Sequence, residues 1–300
     1  MKRFFMVVLL ALLPIAKAQT LEFSVAYPLS VQVALTNVAI SEALSFGVAV
    51  STERLKVSSS AVLDIAPIGS AQASLSLEWA YVGRFRVLAL TRATLGSATL
   101  GLSGAFWNAA PANFDAFEIF APDPLPNSTS GSRIDFGLGL RVSRSLSLFG
   151  NFRFGSDAAS NSLQLRYRTS GLELFGGVFT GSQLGNMVYL VQSGLSTEFE
   201  DTGLRLSFGA GLGLLDSAFT FETNFGLSWE IADELGLGLT IYYQPWRSDV
   251  LPLRGSLELR VSPGLGTVFL SGFGGFNTLN NFNWGLRLSY RIGLEELFPS

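Results

Sequence analysis

From Leu204 to Tyr243 the apolar residues take every second position: Leu204, Leu206, Phe208, Ala210, Leu212 and Leu214; then Phe219, Phe221, Phe225, Leu227, Trp229 and Ile231; then Leu235, Leu237, Leu239, Ile241 and Tyr243. Between them stand Arg205, Ser207, Gly209, Gly211, Gly213, Thr220, Glu222, Asn224, Ser228 and Glu230. Side chains alternate faces along a strand, so this period predicts extended segments with one greasy face and one wet face. A turn at Asp216-Ser217 sets Leu214 opposite Phe219, Leu212 opposite Phe221, Phe208 opposite Phe225, Leu206 opposite Leu227 and Leu204 opposite Trp229, all on one face. A second turn over Ala232, Asp233 and Glu234 sets Ile231 against Leu235, Trp229 against Leu237, Leu227 against Leu239 and Phe225 against Ile241. Three successive strands agree in register.

The alternation recurs at Leu21 to Tyr27, Leu44 to Val50, Leu75 to Tyr81, Ile134 to Val142, Leu163 to Tyr167 and Phe282 to Ile292, and it is weak over residues 28–43 and 51–70. It predicts an all-β chain of about eighteen strands, with sixteen as the alternative, closed as a single antiparallel up-and-down barrel. No helical segment or domain boundary is expected within it. A soluble sandwich also alternates, but its outward face must be solvated by Lys, Glu, Asp and Thr. Here the polar face is mostly Gly, Ser and Asn, and Lys56 is the only lysine after Lys17. The greasy face therefore reads as lipid-facing, which makes the barrel transmembrane.

Composition bears on this in three ways. The mean hydropathy is +0.37 with 14% charged residues, yet after residue 18 no stretch approaches the roughly 20 apolar residues of a spanning helix. At the start, Lys2 and Arg3 precede an apolar run from Phe4 to Ala16 and then Ala16-Lys17-Ala18, the pattern of a secretory signal peptide over residues 1–18 cut before Gln19, with the barrel over 19–300. The chain has no cysteine and no histidine. That removes disulfides, a lipid-bearing cysteine and the commonest general base and metal ligand together. No catalytic elbow, nucleotide loop or metal cluster stands in for them, so neither an enzyme nor a cofactor or metal site is expected. The net charge of −3, more acidic still once the leader's Lys2, Arg3 and Lys17 are lost, argues against nucleic acid as a partner.

The last strand carries Asn283-Trp284-Gly285-Leu286-Arg287-Leu288-Ser289-Tyr290. With the alternation over nearly the whole mature chain, it resembles the bacterial outer-membrane β-barrel proteins. The resemblance implies location in the outer membrane, contact with its lipid, and recognition of this strand by the barrel-assembly machinery. The chain departs from many members by continuing ten residues past Tyr290, to Ser300. If the first strand runs outward, the long links Asn108 to Ser132 and Gln244 to Arg254 lie outside and short ones such as Ser143 to Ser145 lie inside. Tyr27, Trp79, Tyr81, Trp107, Tyr243, Trp246 and Trp284 then form one aromatic girdle, and Tyr167, Trp229 and Tyr290 the other.

The inward face is expected to carry Arg84, Arg86, Arg133, Arg141, Arg153, Arg166, Arg168, Arg205, Arg260, Arg287 and Arg291 with Glu78, Asp135, Glu173, Glu222 and Glu258. Arg168 falls opposite Glu173 and Asp135 opposite Arg153, whereas Arg141 and Arg166 find no cross-strand acid. The lining candidates are Arg133, Arg141, Arg153, Arg166, Arg168, Arg205, Asp135, Glu173 and Glu222. Acids such as Glu198, Glu200, Asp201, Asp233 and Glu234 are read as lying in connections. Two readings stand for the inner charges: structural pairs, or the lining of a passage for small solutes whose arginine excess favours anions. Inward Phe175, Phe179, Val188 and Leu190 keep a hydrophobic-solute transporter open, and a plugged scaffold is the third possibility. The segment Asn108 to Ser132, with Phe114, Phe117, Phe120, Asp115, Glu118 and Asp123, either folds back into the lumen or caps the rim. Oligomeric state is not legible.

Overall fold

The computed structural model describes residues 20–65, 69–125, 128–156, 158–183, 185–247 and 250–297. The expected leader, residues 1–18, and its cleavage point before Gln19 lie outside the described residues. The strands are β1 (Thr20–Tyr27), β2 (Ser30–Ala39), β3 (Leu44–Ser51), β4 (Arg54–Ile65), β5 (Gly69–Ala80), β6 (Arg84–Leu95), β7 (Ala98–Trp107), β8 (Gly131–Arg141) and β9 (Leu146–Gly155). They continue as β10 (Ala158–Thr169), β11 (Leu172–Gln183), β12 (Asn186–Phe199), β13 (Leu204–Leu215), β14 (Ala218–Ala232), β15 (Leu235–Tyr243), β16 (Leu253–Val261), β17 (Thr267–Phe276) and β18 (Phe282–Gly293). Each pairs antiparallel with its sequence neighbours, and β1 pairs with both β2 and β18, so the 18-stranded sheet closes with no free edge.

The expected registers around Asp216-Ser217 all occur, from Leu214 opposite Phe219 to Leu204 opposite Trp229. Asp216 takes φ +53°, a conformation its short polar side chain tolerates, and its carboxylate accepts the Met187 N–H at 2.7 Å. At the next turn one expected pair fails. Glu230 faces Gly236 but Ala232 faces Leu235, so Ile231 is bulged out rather than set against Leu235. The weakly patterned stretches are strands as well. In β2 the register shifts between Leu35 and Val38, which breaks the period, and in β4 the run Ser58-Ser59-Ser60 puts hydroxyls on both faces. One four-residue helical turn, Leu294–Leu297, follows β18 against the expectation of none, and its Glu296 accepts the Gly266 N–H at 2.9 Å.

The outer wall is a continuous apolar band. Phe136, Leu163, Leu174, Tyr189, Phe208, Leu212, Leu257 and Leu288 are among the large residues it exposes. Tyr27 stacks on Trp284 with ring centroids 4.8 Å apart, and Trp79, Tyr81, Tyr167 and Trp229 are exposed near the strand ends. Two residues expected in this girdle are inside instead. Trp107 is 1% exposed and packs with Ala80 and Phe114, because it lies on the same face of β7 as Ser103 and Ala105. Trp246 sits beyond β15 and turns inward onto Phe179, with centroids 5.4 Å apart.

Candidate functional site

The long link between β7 and β8 folds into the barrel. Two short 3-10 turns, Pro111–Asn113 and Glu118–Phe120, make it compact. Phe114 joins Trp107, Ala109 and Leu125 in one buried cluster, and Phe117 and Phe120 join Ala26 and Leu251 in another. Phe273 on β17 lies 4.7 Å from the Phe117 ring and 5.8 Å from the Phe120 ring. Gly285 is required for this seat, since a Cβ there would stand 2.6 Å from Phe117 Cε1. Between the two placements the sequence left open, the greasy side of this segment decides. Its rings have no lipid to face at the rim, and burying each inside the barrel is worth roughly 1.5–3 kcal/mol.

Charge fastens the seat. Glu78 on β5 is 1% exposed and draws three cations, Arg86 at 2.8 Å, Arg54 at 3.2 Å and Lys56 at 3.3 Å. Arg86 also reaches Glu118 at 3.0 Å and lies 5.1 Å above the Phe114 ring. Arg54 donates to the Phe114 carbonyl, and it shares Asp115 with Arg287 at 3.5 and 2.8 Å. Arg254 donates to the Ala121 and Pro122 carbonyls at 2.9 and 2.7 Å. At the tip, Asp123 meets Arg153, Arg133 and Arg247 at 2.5, 3.6 and 3.4 Å. Pairing offsets the cost of stripping these charges of water, and the anchors stand on β4, β5, β6, β8, β9, β16 and β18 around the ring.

Burial works against the Asp123 charge, but hydrogen bonds from Arg153 and the charges of Arg153, Arg133 and Arg247 outweigh it and hold the carboxyl below its ordinary 3.8. A depressed carboxyl contributes stability above its unfolded value and loses it as pH falls through the folded one. The Asp123 tip contact is therefore expected to stay shut in mild acid and to release only below the usual carboxylate range. Nitroxide labels on cysteines at positions 122 and 162, which leave Asp123 itself intact, would report the tip-to-wall distance across a pH series. A release already complete in mild acid would contradict the expectation.

Each residue singled out from the sequence can now be placed. Arg133 and Arg153 flank Asp135 at 3.0 and 2.5 Å and share Asp123, so these three act with the loop. Arg168 pairs with Glu173 as expected from the register. Arg166 does find an acid, contrary to expectation. It reaches along its own side of the barrel to Glu173 at 3.6 Å and lies 4.7 Å above the Phe149 ring. Arg141 makes no ion pair among the described residues and donates to the Ser143 carbonyl at 3.4 Å. Arg205 donates to Ser196 Oγ at 3.3 Å, and Glu198, read as part of a connection, stands in β12 directly opposite it. The loop acids Asp115, Glu118 and Asp123 also lie inside rather than in an outer connection. Glu222 is buried with no cation paired to it among the described residues, and accepts from Gln192 at 2.6 Å and from Gln244 and Trp246 at 3.0 Å each.

Between the loop tip and the β10 to β14 wall a cavity of about 370 Å³ remains, lined by Asp123, Arg153, Gln164, Phe179, Val188, Gln192, Glu222, Gln244, Trp246 and Arg247. A second, of about 380 Å³, lies under the loop against Ser74, Ser76, Leu88, Leu90, Glu118 and Asp135. Sequence reasoning missed Arg54, Arg247, Arg254, Gln164, Gln192 and the inward Trp246. The alternation marks the two glutamines as inward, but nothing local distinguishes them, and Arg54 lies in the weakly patterned stretch 51–70. Among the described residues no group of three or more acids could hold a metal ion, and no helix is long and apolar enough to cross a membrane.

No family model and no curated protein sequence matches the chain. Solved structures similar to it include mutants of the Rhodopseudomonas blastica porin. A triple mutant of that porin is 10% identical, with 92% of this chain and 98% of that chain covered at a TM-score of 0.48. Another mutant of the same porin is 11% identical with the same coverage and TM-score.

Proposed function

We propose that the chain is a bacterial outer-membrane channel of the porin type, which admits small polar solutes through a lumen narrowed by residues 108–125 and weakly favours anions. The observation that carries this is the loop fastened inside the barrel with a polar cavity left beside its tip. A barrel of this strand number has room for an aqueous passage, and its apolar outer band suits lipid. The inner Phe179 and Val188 do not favour a hydrophobic solute, because Arg153, Arg247 and Asp123 line the same cavity, and Leu190 is buried away from it. A plugged scaffold is disfavoured because a polar cavity of about 370 Å³ stays open beside the loop tip. The nine residues singled out as lining belong to the proposed passage, with Arg133, Arg153, Asp135 and Glu222 at the level of the loop and Arg141, Arg166, Arg168, Arg205 and Glu173 toward the end with the short links.

Purified protein in a planar bilayer is expected to give steady conductance steps; their absence overturns the channel. Selectivity is expected to come from the level of the loop, where Arg54, Arg86, Arg133, Arg153, Arg247 and Arg254 outweigh the acids they hold. In a salt gradient below 0.1 M, the concentration at which screening shortens fields to about 10 Å, Arg247→Ser should move the reversal potential toward cations. Arg141→Ser with Arg166→Ser should move it less, since Glu173 already offsets Arg166. A cation-selective wild type, or the reverse order of the two variants, would contradict the assignment.

A further inference from the structure

The wall opposite the loop tip carries a hydrogen-bonded belt whose direction is fixed from both ends. Arg166 donates to Gln164 Oε1 at 3.2 Å, Gln164 Nε2 donates to Gln192 Oε1 at 3.5 Å, and Gln192 Nε2 donates to Glu222 at 2.6 Å. From the other side Arg254 donates to Gln244 Oε1 at 2.7 Å and Gln244 Nε2 donates to Glu222 at 3.0 Å. Arginine can only donate and a carboxylate can only accept, so all three amides are held in one orientation. Each keeps one N–H and one carbonyl lone pair to offer to the cavity.

The belt exists because glycine occupies the strands in between. Gln164 and Gln192 both lie opposite Gly177 on β11, and Gln192 and Glu222 both lie opposite Gly211 on β13. Strands two apart are separated by roughly 9.5 Å, a gap that long side chains bridge only by lying flat along the wall. A Cβ at Gly211 would stand 2.9 Å from Glu222 Cγ and 3.3 Å from Gln192 Cγ, in the space they use. Beside the belt, Trp246 donates to Glu222 and packs against Phe179, and both half-buried rings line the same cavity.

We infer that this wall is a binding subsite for a neutral polyhydroxylated solute of sugar size, an inference that rests on the channel reading above. A sugar ring offers a C–H face for the aromatic pair and, along its edge, hydroxyls that donate and accept as the spare amide valences require. A space of about 370 Å³ accommodates one or two rings. Charge selects against the alternatives. Arg153 and Arg247 balance Asp123 and Glu222 there, so an ion gains no net attraction for the hydration it gives up, and an uncharged solute gives up less.

The test adds sucrose, and separately gluconate, to single channels in a planar bilayer. Sucrose should interrupt the current saturably and gluconate should not. Trp246→Ala should raise the half-blocking sucrose concentration roughly 2- to 10-fold, the loss of one aromatic contact, while Trp246→Phe recovers part of it. Gln164→Leu, which opens the belt at the end away from Glu222 and Trp246, should weaken block by about 2- to 10-fold, as for one or two hydrogen bonds. Steady conductance without saturable sucrose block, or block by gluconate equal to sucrose, overturns the subsite and leaves the channel standing. Absence of conductance overturns the channel itself.

Discussion

Excising residues 114–125 and joining the ends with a short Gly-Ser link is expected to leave the barrel assembled and to raise its single-channel conductance at least about twofold, because an 18-stranded ring without its inner loop is wide enough to hold water across its section. The strand ladder is independent of the loop, with β7 and β8 paired along their length up to Trp107 opposite Gly131. The anchoring cations do not become a liability, since loss of the loop exposes them to water and Glu78 still faces Arg54, Arg86 and Lys56. A point change probes the same seat from the barrel side. Glu78→Gln leaves three cations around a neutral amide in a dry site, and breaking a buried pair in this way costs about 3–5 kcal/mol. The loop is then expected to open intermittently, seen as flicker to the conductance of the excised form. If excision leaves conductance unchanged, the loop does not limit the passage.

How far the chain could be read follows from what alternation encodes. Period two reports which face a residue occupies, and closure follows once one face is greasy along every strand. Register came with it where a two-residue turn such as Asp216-Ser217 left no slack, and failed at Ile231, where the longer turn let one residue bulge. Trp107 sets two signals against each other: a tryptophan at a strand end suits the girdle, but the face it shares with Ser103 and Ala105 places it inside. The inner loop lay beyond pattern altogether. Phe114, Phe117 and Phe120 with Asp115, Glu118 and Asp123 suit a rim cap as well as a lumen, and only the positions of Glu78, Arg86, Arg254 and Phe273 around the closed ring decide. Gly211 stands among the small residues of the wet face, where it leaves space beside the wall, and nothing local distinguishes Gly177. What fills that space depends on residues brought alongside by register, which the spacing of glycines alone does not give.

The sharpest test of the inside-out assignment is a pair of neighbours on one strand. Phe208→Arg is expected to abolish assembly into the outer membrane, whereas Gly209→Ser is expected to assemble as the wild type does. Phe208 is 47% exposed on the outer wall, opposite Phe225 and Leu195, near the middle of β13, the depth at which the proposed membrane placement sets the bilayer midplane. A guanidinium at that depth costs roughly 2–4 kcal/mol, and near the midplane it has no route to the headgroups within one side chain's reach. Gly209 faces inward, and the atoms nearest an added Cβ there are the end of the Asn224 side chain, a flexible terminus that can give way. Ser228→Arg on the neighbouring strand also faces inward and extends the test, since it places the same charge as Phe208→Arg on the opposite face of the wall. Heat-modifiable migration and protease resistance in detergent read assembly directly. Equal assembly of Phe208→Arg and Ser228→Arg would mean that the greasy face does not meet lipid, and the membrane reading would fall with it.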